Sequence, residues 1–213
     1  MFWNTVTPLL KHVLIHMMNS EKFEVFRLVG GTSLSLQIGH RESVDIDLFT
    51  DAPYDSVDFD SIDNYFRKHY KYVSTNEGLS IAIGHSWYVG SDKSEAVKID
   101  LYYTDPFIRS YVLKDHIRLA SVEDIIAMKL EVIGRGGRKK DFWDLHVLHE
   151  QFPIHRMIEL HQERYPYSYS VNDLHSALVN FDSAEDDFEP VCLRRKHWPL
   201  IKRDFVYWLG QYK

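Results

Sequence analysis

Val29-Gly30-Gly31-Thr32-Ser33-Leu34-Ser35-Leu36-Gln37-Ile38-Gly39-His40-Arg41-Glu42-Ser43-Val44-Asp45-Ile46-Asp47-Leu48-Phe49 reads as a strand end, a glycine turn, a short helix, a loop and a second strand. Gly30-Gly31 permits positive φ and leaves no Cβ between a ligand and the backbone. Thr32 or Ser33 is placed to cap the helix that follows. The first N–H groups of that helix then point at an anion, aided by the helix dipole. From Val44 to Phe49 alternate side chains share a face. Val44, Ile46 and Leu48 are expected in the core, with Asp45 and Asp47 together on the other side. Two carboxylates at that spacing repel unless a cation lies between them, and an all-oxygen donor set suits Mg²⁺ or Mn²⁺. A phosphate cradle made by Gly30, Gly31, Thr32 and Ser33 beside a metal carboxylate pair is what nucleotide chemistry requires. No Gly-Lys-Ser/Thr follows the glycines, so this is not a Walker loop, and the third glycine of a dinucleotide fingerprint is missing.

Downstream, Glu95 to Tyr103 alternates in the same way. Val97, Ile99 and Leu101 form an apolar face, and Lys98, Asp100 and Tyr102 the other. Asp100 either joins Asp45 and Asp47 as a third carboxylate or pairs with a lysine toward solvent. Asp is depleted in strands, which favours the site. Ser121 to Asp124 reads as a helix start, with Lys129 the basic residue of an apolar helix that ends at Gly134 to Gly137. A second helix from about Lys140 to Glu150 carries Asp141 and Asp144 on one face, at i, i+3. Lys129 pairs either with these aspartates or with Glu123 or Glu131. Asp141 serves either the site or its own helix start.

Gly-Gly-Thr-Ser, a short spacer and Asp-x-Asp resemble the signature of the DNA polymerase β-like nucleotidyltransferase superfamily. The fuller string, from Leu28-Val29-Gly30-Gly31 through Asp45-Ile46-Asp47-Leu48-Phe49, resembles the AbiEii/AbiGii toxin-type branch. Lys129, Arg135 and then Lys140-Asp141-Phe142-Trp143-Asp144-Leu145 match the downstream pattern of that branch. The resemblance spans roughly residues 27 to 148. It implies an α+β fold: a short mixed twisted sheet flanked by helices, then a helical C-terminal part, with residues 1–120 as the core and 121–213 completing the site. It implies transfer of a nucleoside monophosphate from an NTP to an acceptor hydroxyl, with Asp45, Asp47 and Asp100 holding two metal ions about 3.5–4 Å apart. Lys129 is set against developing negative charge, with Arg135 or Lys140 assisting. Asp141 or Asp144 orients Lys129 or acts as base. The resemblance further implies a toxin paired with an antitoxin protein, and in some relatives a tRNA acceptor. Transfer to an aminoglycoside or a protein is the alternative, and an inactive nucleotide-binding or interaction module is the reading from another class.

With 213 residues, 45% hydrophobic and 26% charged, the chain has the composition of an ordinary globular protein. Its single cysteine, Cys192, excludes an internal disulfide and fits a reducing cytoplasm. No apolar run approaches the ~20 residues that span a bilayer, and the N-terminal pattern is not that of a signal peptide. The net charge of -6 argues against a sequence-blind nucleic-acid binder. Charge is nonetheless segregated: Glu42 to Asp63 holds eight acids and no lysine or arginine, whereas Gly134 to Lys140 holds four bases in seven residues. These are either two solvated segments or a metal-attracting rim facing an anion-binding arm.

In the remaining chain, Thr7-Pro8 opens a core-facing helix, and Phe23 to Val29 reads as a strand. Asp55 to Tyr70 reads as a helix, Tyr72-Val73 as a strand start, and Asn76-Glu77-Gly78 as a turn. Leu79 to Ile83 and Ser86 to Val89 read as a hairpin turning at Gly84-His85. His12 and His16, and His146 and His149, are expected to be surface or structural. Helices are expected at 153–164, 170–181 and 197–212, with an acidic loop over 182–189 and Trp198, Phe205, Tyr207 and Trp208 used mainly for packing.

Overall fold

The computed structural model describes residues 1–75 and 83–211. Helix α1 (Pro8–Met18) starts where Thr7 accepts a hydrogen bond from the Leu10 N–H, with Pro8 in its first turn. Strand β1 (Arg27–Leu28) leads into α2 (Gly30–Ile38), and β2 (Asp45–Thr50) returns antiparallel to β1. Then come α3 (Phe59–His69), β3 (Tyr72–Thr75), β4 (Gly84–Gly90), β5 (Ala96–Tyr103), β6 (Val112–Lys114) and β7 (Ile117–Leu119). Helices α4 (Val122–Gly134), α5 (Lys139–Leu148), α6 (Ile154–Arg164), α7 (Val171–Leu178), α8 (Asp182–Glu185) and α9 (Trp198–Gly210) follow.

The strands form one seven-stranded sheet in the order β3-β4-β5-β2-β1-β7-β6. At its centre β2 and β5 run parallel, with Ile46 beside Ile99, Asp47 beside Asp100 and Leu48 beside Leu101. Even-numbered residues of β2 and odd-numbered residues of β5 face one core, packed by α1 and α3. The opposite face carries Asp45, Asp47 and Phe49. There Phe49 joins a second core built from α2, α4 to α7 and α9. Among the described residues no helix is long and apolar enough to cross a membrane.

Several expected boundaries move. The strand expected from Phe23 to Val29 shrinks to Arg27–Leu28, because Glu21–Phe23 closes a 3-10 turn whose carbonyls are already used. The helix expected from Asp55 begins at Phe59: Asp55 takes φ of 65° in the preceding turn, and Asp58 supplies the cap to Ser61 N–H. Gly84-His85 is not a hairpin turn but the start of β4, paired with Tyr102 and Leu101. The turn expected at Asn76 to Gly78 lies outside the described residues. Val44 precedes β2 and is 63% exposed, so its core position does not hold. The acidic loop over 182–189 contains the short helix α8. In α9, Trp198 and Phe205 are core, Trp208 stacks on His149 with ring centroids 3.5 Å apart, and Tyr207 is exposed.

A fully buried ion pair pins the loop after β5 to the helical layer. Arg164 of α6 bonds Asp124 of α4 at 2.8 Å and also reaches the Pro106 and Asp105 carbonyls and the Thr104 hydroxyl. Asp124 in turn accepts from Ser121 and from the backbone N–H groups of Ile108 and Arg109. Removing one partner leaves a buried charge uncompensated. Arg164→Met is expected to lower unfolding stability by about 3–5 kcal/mol in urea titrations, with part of the loss recovered when Asp124→Asn is added.

Candidate active site

Side-chain parity puts Asp45 and Asp47 on one face of β2, and the parallel register sets Asp100 of β5 directly beside Asp47. Asp100 accepts a hydrogen bond from Ser86 on β4 at 2.6 Å and pairs with Lys98 two residues before it. Both halves of the sequence alternative are therefore present: a lysine partner, and a place next to the acidic pair. Asp45 lies 4.0 Å from Lys140. No protein hydrogen bond reaches the Asp47 carboxylate among the described residues. Burial, Asp100 and then Asp45 push its pKa up to about 6. As the side chains stand, the described residues contain no cluster of three His, Cys, Asp or Glu closed around a metal position. Asp100 is turned to Ser86 and Lys98, and Asp45 toward Lys140.

The glycine turn lies against these carboxylates. Gly30 takes φ of +65°, and a Cβ there would stand 2.6 Å from Asp47 Oδ2. Helix α2 starts at Gly30 itself, one turn earlier than a Thr32 or Ser33 cap requires, and no side chain caps it. Its first N–H groups are thus left for another acceptor. The hydroxyls expected to cap or to face a phosphate do neither. Thr32 donates to the Asp45 carbonyl and meets the Ser43 hydroxyl at 2.8 Å, and Ser33 accepts from Gln37 within the helix. Both are fully buried because they lie on the inner side of α2. Only the backbone of this turn faces the site.

Lys129 projects from α4 and is held by Asp141 at 2.6 Å and Asp144 at 2.9 Å, both on α5. This excludes pairing with Glu123 or Glu131. Burial opposes its charge, but Asp141 and Asp144 outweigh burial and leave its pKa raised. Asp141 also accepts from the Arg138 backbone N–H, so it fixes the helix start as well. Asp144 is fully buried. Arg41 grips it through Nε at 2.6 Å and Nη2 at 2.9 Å, and His40 Nε2 donates to it at 2.7 Å. Although burial opposes ionisation, Lys129 and Arg41 hold this carboxyl well below the usual range. Burial in turn lowers the His40 pKa against the opposing pull of Asp144, and the ring presents Nε2 to a carboxylate that only accepts. A Cβ on Gly31 would meet Arg41 Nη2 at 2.2 Å, so glycine is needed there for the guanidinium to pass beneath the helix.

Arg135 does not join this group. It is the residue just past α4, bonds Glu131 at 2.7 Å and is exposed, and it does not line the hollow that Lys129 lines. Arg138, three residues on, lines both hollows instead. Arg41, His40 and Ser86 were not marked by sequence. Arg41 lies inside the quoted stretch, but spacing carries no sign of a partner 103 residues away.

Two hollows meet at Arg138 and Lys140. One, of about 210 Å³, holds Gly30, Gly31, Asp47 and Lys129 against an apolar wall of Phe49, Ile125, Met128 and Val132. The other, of about 330 Å³, opens at Asp45 and Ser43 and is bounded by residues 187–191. Burial, Arg138 and Lys129 lower the Lys140 pKa, so this ammonium is under-neutralised and attracts anions. A larger open hollow of about 620 Å³ beside α3 contains none of these groups.

Residues 12–208 match the family model described as nucleotidyl transferase AbiEii toxin of a type IV toxin–antitoxin system. An uncharacterized protein of Aquifex aeolicus (strain VF5) is 28% identical over 199 residues, covering 88% of this chain and 87% of its own length. In fold the chain is similar to JHP933 of Helicobacter pylori, with a TM-score of 0.59 at 16% identity over 95% of this chain and 88% of that one. It is also similar to MenT4, a nucleotidyltransferase toxin of Mycobacterium tuberculosis, with a TM-score of 0.58 at 16% identity over 94% and 81% of the two chains.

Two stability measurements follow from these electrostatics. Asp144→Asn is expected to destabilise the protein by about 3–5 kcal/mol at pH 7. The Asp144 contribution is present above the unfolded value of 3.8 and is lost as pH falls through the depressed native value, so the gap between variant and wild type closes in acid. Asp47 has the opposite sign. Its native pKa lies above the unfolded value, so in cation-free buffer stability falls as pH rises from about 4 to about 6. Asp47→Asn is expected to be more stable than wild type by about 1–2 kcal/mol at pH 8 and equal to it below pH 4, by thermal melts.

Proposed function

This chain belongs to the AbiEii nucleotidyl transferase toxin family, and for this nucleotidyltransferase we propose Mg²⁺-dependent transfer of a nucleoside monophosphate from an NTP to the terminal hydroxyl of an RNA, tRNA among the candidates. The observation that carries the reading is the placement of Asp47 and Asp100 side by side on parallel strands, with the uncapped start of α2 and Lys129 around the same hollow.

The donor triphosphate lies along the Gly30-Gly31 turn, where backbone N–H groups and the α2 dipole receive its outer phosphates. Its base enters the apolar wall of Phe49, Ile125, Met128 and Val132. Lys129 and Lys140 stabilise charge gathering on the leaving pyrophosphate as the bond between the α-phosphorus and the bridging oxygen breaks. Asp45, Asp47 and Asp100 would hold the divalent ions. The donor set fits, because no hydrogen-bond donor among the described residues reaches Asp47, and burial with two carboxylate neighbours raises its pKa. Held by these three carboxylates, a divalent ion would neutralise phosphate charge and lower the pKa of the attacking hydroxyl. Asp144 acts as an electrostatic clamp rather than a base: ionised and surrounded by three donors, it takes up no proton at working pH. A protein antitoxin is the partner that the family description points to.

Transfer to a small cationic acceptor such as an aminoglycoside is the second reading. It is favoured by Glu42, Asp187 and Glu189 around the second cleft.

Incubation with each of four α-³²P NTPs, Mg²⁺ and total RNA is expected to label RNA, with label lost on chelation and in Asp47→Ala. Lys129→Met is expected to lower kcat by about 10²–10³-fold. Pyrophosphate release with label on an aminoglycoside but not on RNA would establish the second reading.

A further inference from the structure

Phe188 holds its ring 93% exposed at the rim of the cleft that opens at Asp45. An exposed aromatic ring carries no packing role, and this one lines the same cleft as Arg138 and Lys140, which the cleft shares with the nucleotide hollow. The wall that carries it is anchored. Glu42 N–H donates to the Val191 carbonyl at 2.9 Å, Leu193 N–H donates to the His40 carbonyl at 2.9 Å, and Arg41 and Cys192 form an antiparallel bridge. Residues 191–193 thus run alongside the three residues that lead into β2 and its carboxylates.

Charge changes sign along this strip. Asp187 and Glu189 flank Phe188 at the cleft, and Arg194, Arg195 and Lys196 come after four intervening residues, beyond the anchored segment. Arg194 is engaged with the Ile38 carbonyl, whereas Arg195 is exposed and turns the chain with φ of +55°. An acceptor that suits both halves has an uncharged, hydroxyl-bearing end with a flat base, followed by a chain of anions.

Resting on the nucleotidyl-transfer reading, we propose that residues 187–196 dock the acceptor as the single-stranded 3′ end of an RNA. Its terminal base stacks on Phe188. Its ribose hydroxyls donate to Asp187 or Glu189, and the preceding phosphates lie on Arg195 and Lys196. Base–aromatic stacking is tolerant of sequence and large enough to read by substitution. The acidic lip gives selection as well, because a phosphate at the 3′ position would be driven against two carboxylates while a free diol is welcomed. A small cationic acceptor would use the carboxylates alone and be indifferent to Phe188 and Arg195.

The test is fluorescence anisotropy of a 5′-fluorescein eight-nucleotide single-stranded RNA ending in a free 3′ diol, compared with the same RNA ending in a 3′-phosphate. Phe188→Ala is expected to weaken binding of the diol RNA about tenfold or more. The 3′-phosphate is expected to bind wild type about tenfold more weakly. Arg195→Asn, which suits a positive φ, is expected to reduce the slope of log affinity against log salt by about 0.7. Affinity for α-³²P NTP, measured by equilibrium filtration, should stay the same in both variants, since the strip does not line the donor hollow. Unchanged RNA binding in Phe188→Ala and Arg195→Asn overturns the proposal, as does an aminoglycoside that binds wild type while the RNA does not. Wild type that releases pyrophosphate but binds no RNA defeats the docking strip alone. RNA binding at the strip without NTP binding defeats the nucleotidyl-transfer reading and leaves the strip standing.

Discussion

Asp144 is the interaction on which the site's architecture depends. It is a fully buried carboxylate that takes Lys129 from α4, and Arg41 and His40 from the run between α2 and β2. Three segments distant in sequence therefore share one anion. Burying that many charges is unfavourable in isolation, and it is offset here because each oxygen is met by a donor at 2.6–2.9 Å. Arg41 reaches Asp144 only because Gly31 has no side chain. The same glycine that opens the turn to a ligand thus also admits the strut beneath it.

The remaining charges are arranged as a contrast. Behind the hollow, Asp144 is over-compensated and firmly ionised. In front of it, Asp47 is under-compensated, with two like-charged neighbours and, among the described residues, no hydrogen-bond donor of its own. Low dielectric magnifies both conditions. Stability is thereby concentrated in the support, and the unfavourable term is left where a bound cation would relieve it. A surface that served only packing would have no reason to carry an acidic pair at its centre beside an uncapped helix start. The cations on the other side are graded too. Lys129 is pinned between two carboxylates and keeps one geometry, whereas Lys140 has, among the described residues, only a distant partner in Asp45 and stays available to an incoming anion.

What the sequence made legible follows from periodicity. Alternation along β2 and β5 places Asp45, Asp47 and Asp100 on the face opposite Ile46, Leu48 and Ile99, because strand parity is local. Ser121 and Thr7 caps are equally local and lie where their residue types put them. Three other features depend on facts that spacing does not carry. The start of α2 moved to Gly30, since a glycine at positive φ can open a helix without a capping hydroxyl, and this buried Thr32 and Ser33. Arg135 and Arg138 differ by three residues, yet the turn between α4 and α5 sends one outward to Glu131 and the other toward Asp141. The union of Arg41 with Asp144 is tertiary, and nothing in the composition around either residue announces it.

The two hollows give this layout a direction. The one at Asp47 has an apolar wall and the uncapped helix start, a match for a base and its phosphates. The one at Asp45 has hydroxyl, carboxylate and aromatic groups on its rim. Asp45 opens one hollow and Asp47 lines the other, and the two are neighbours on one strand face, so ligands in the two hollows would meet at this pair of carboxylates, with Arg138 and Lys140 lining both. Convergence of that kind removes translational freedom from two reactants at once. In the proposed transfer, the positive charge of Arg138 and Lys140 at the meeting point would stabilise the transferring phosphate.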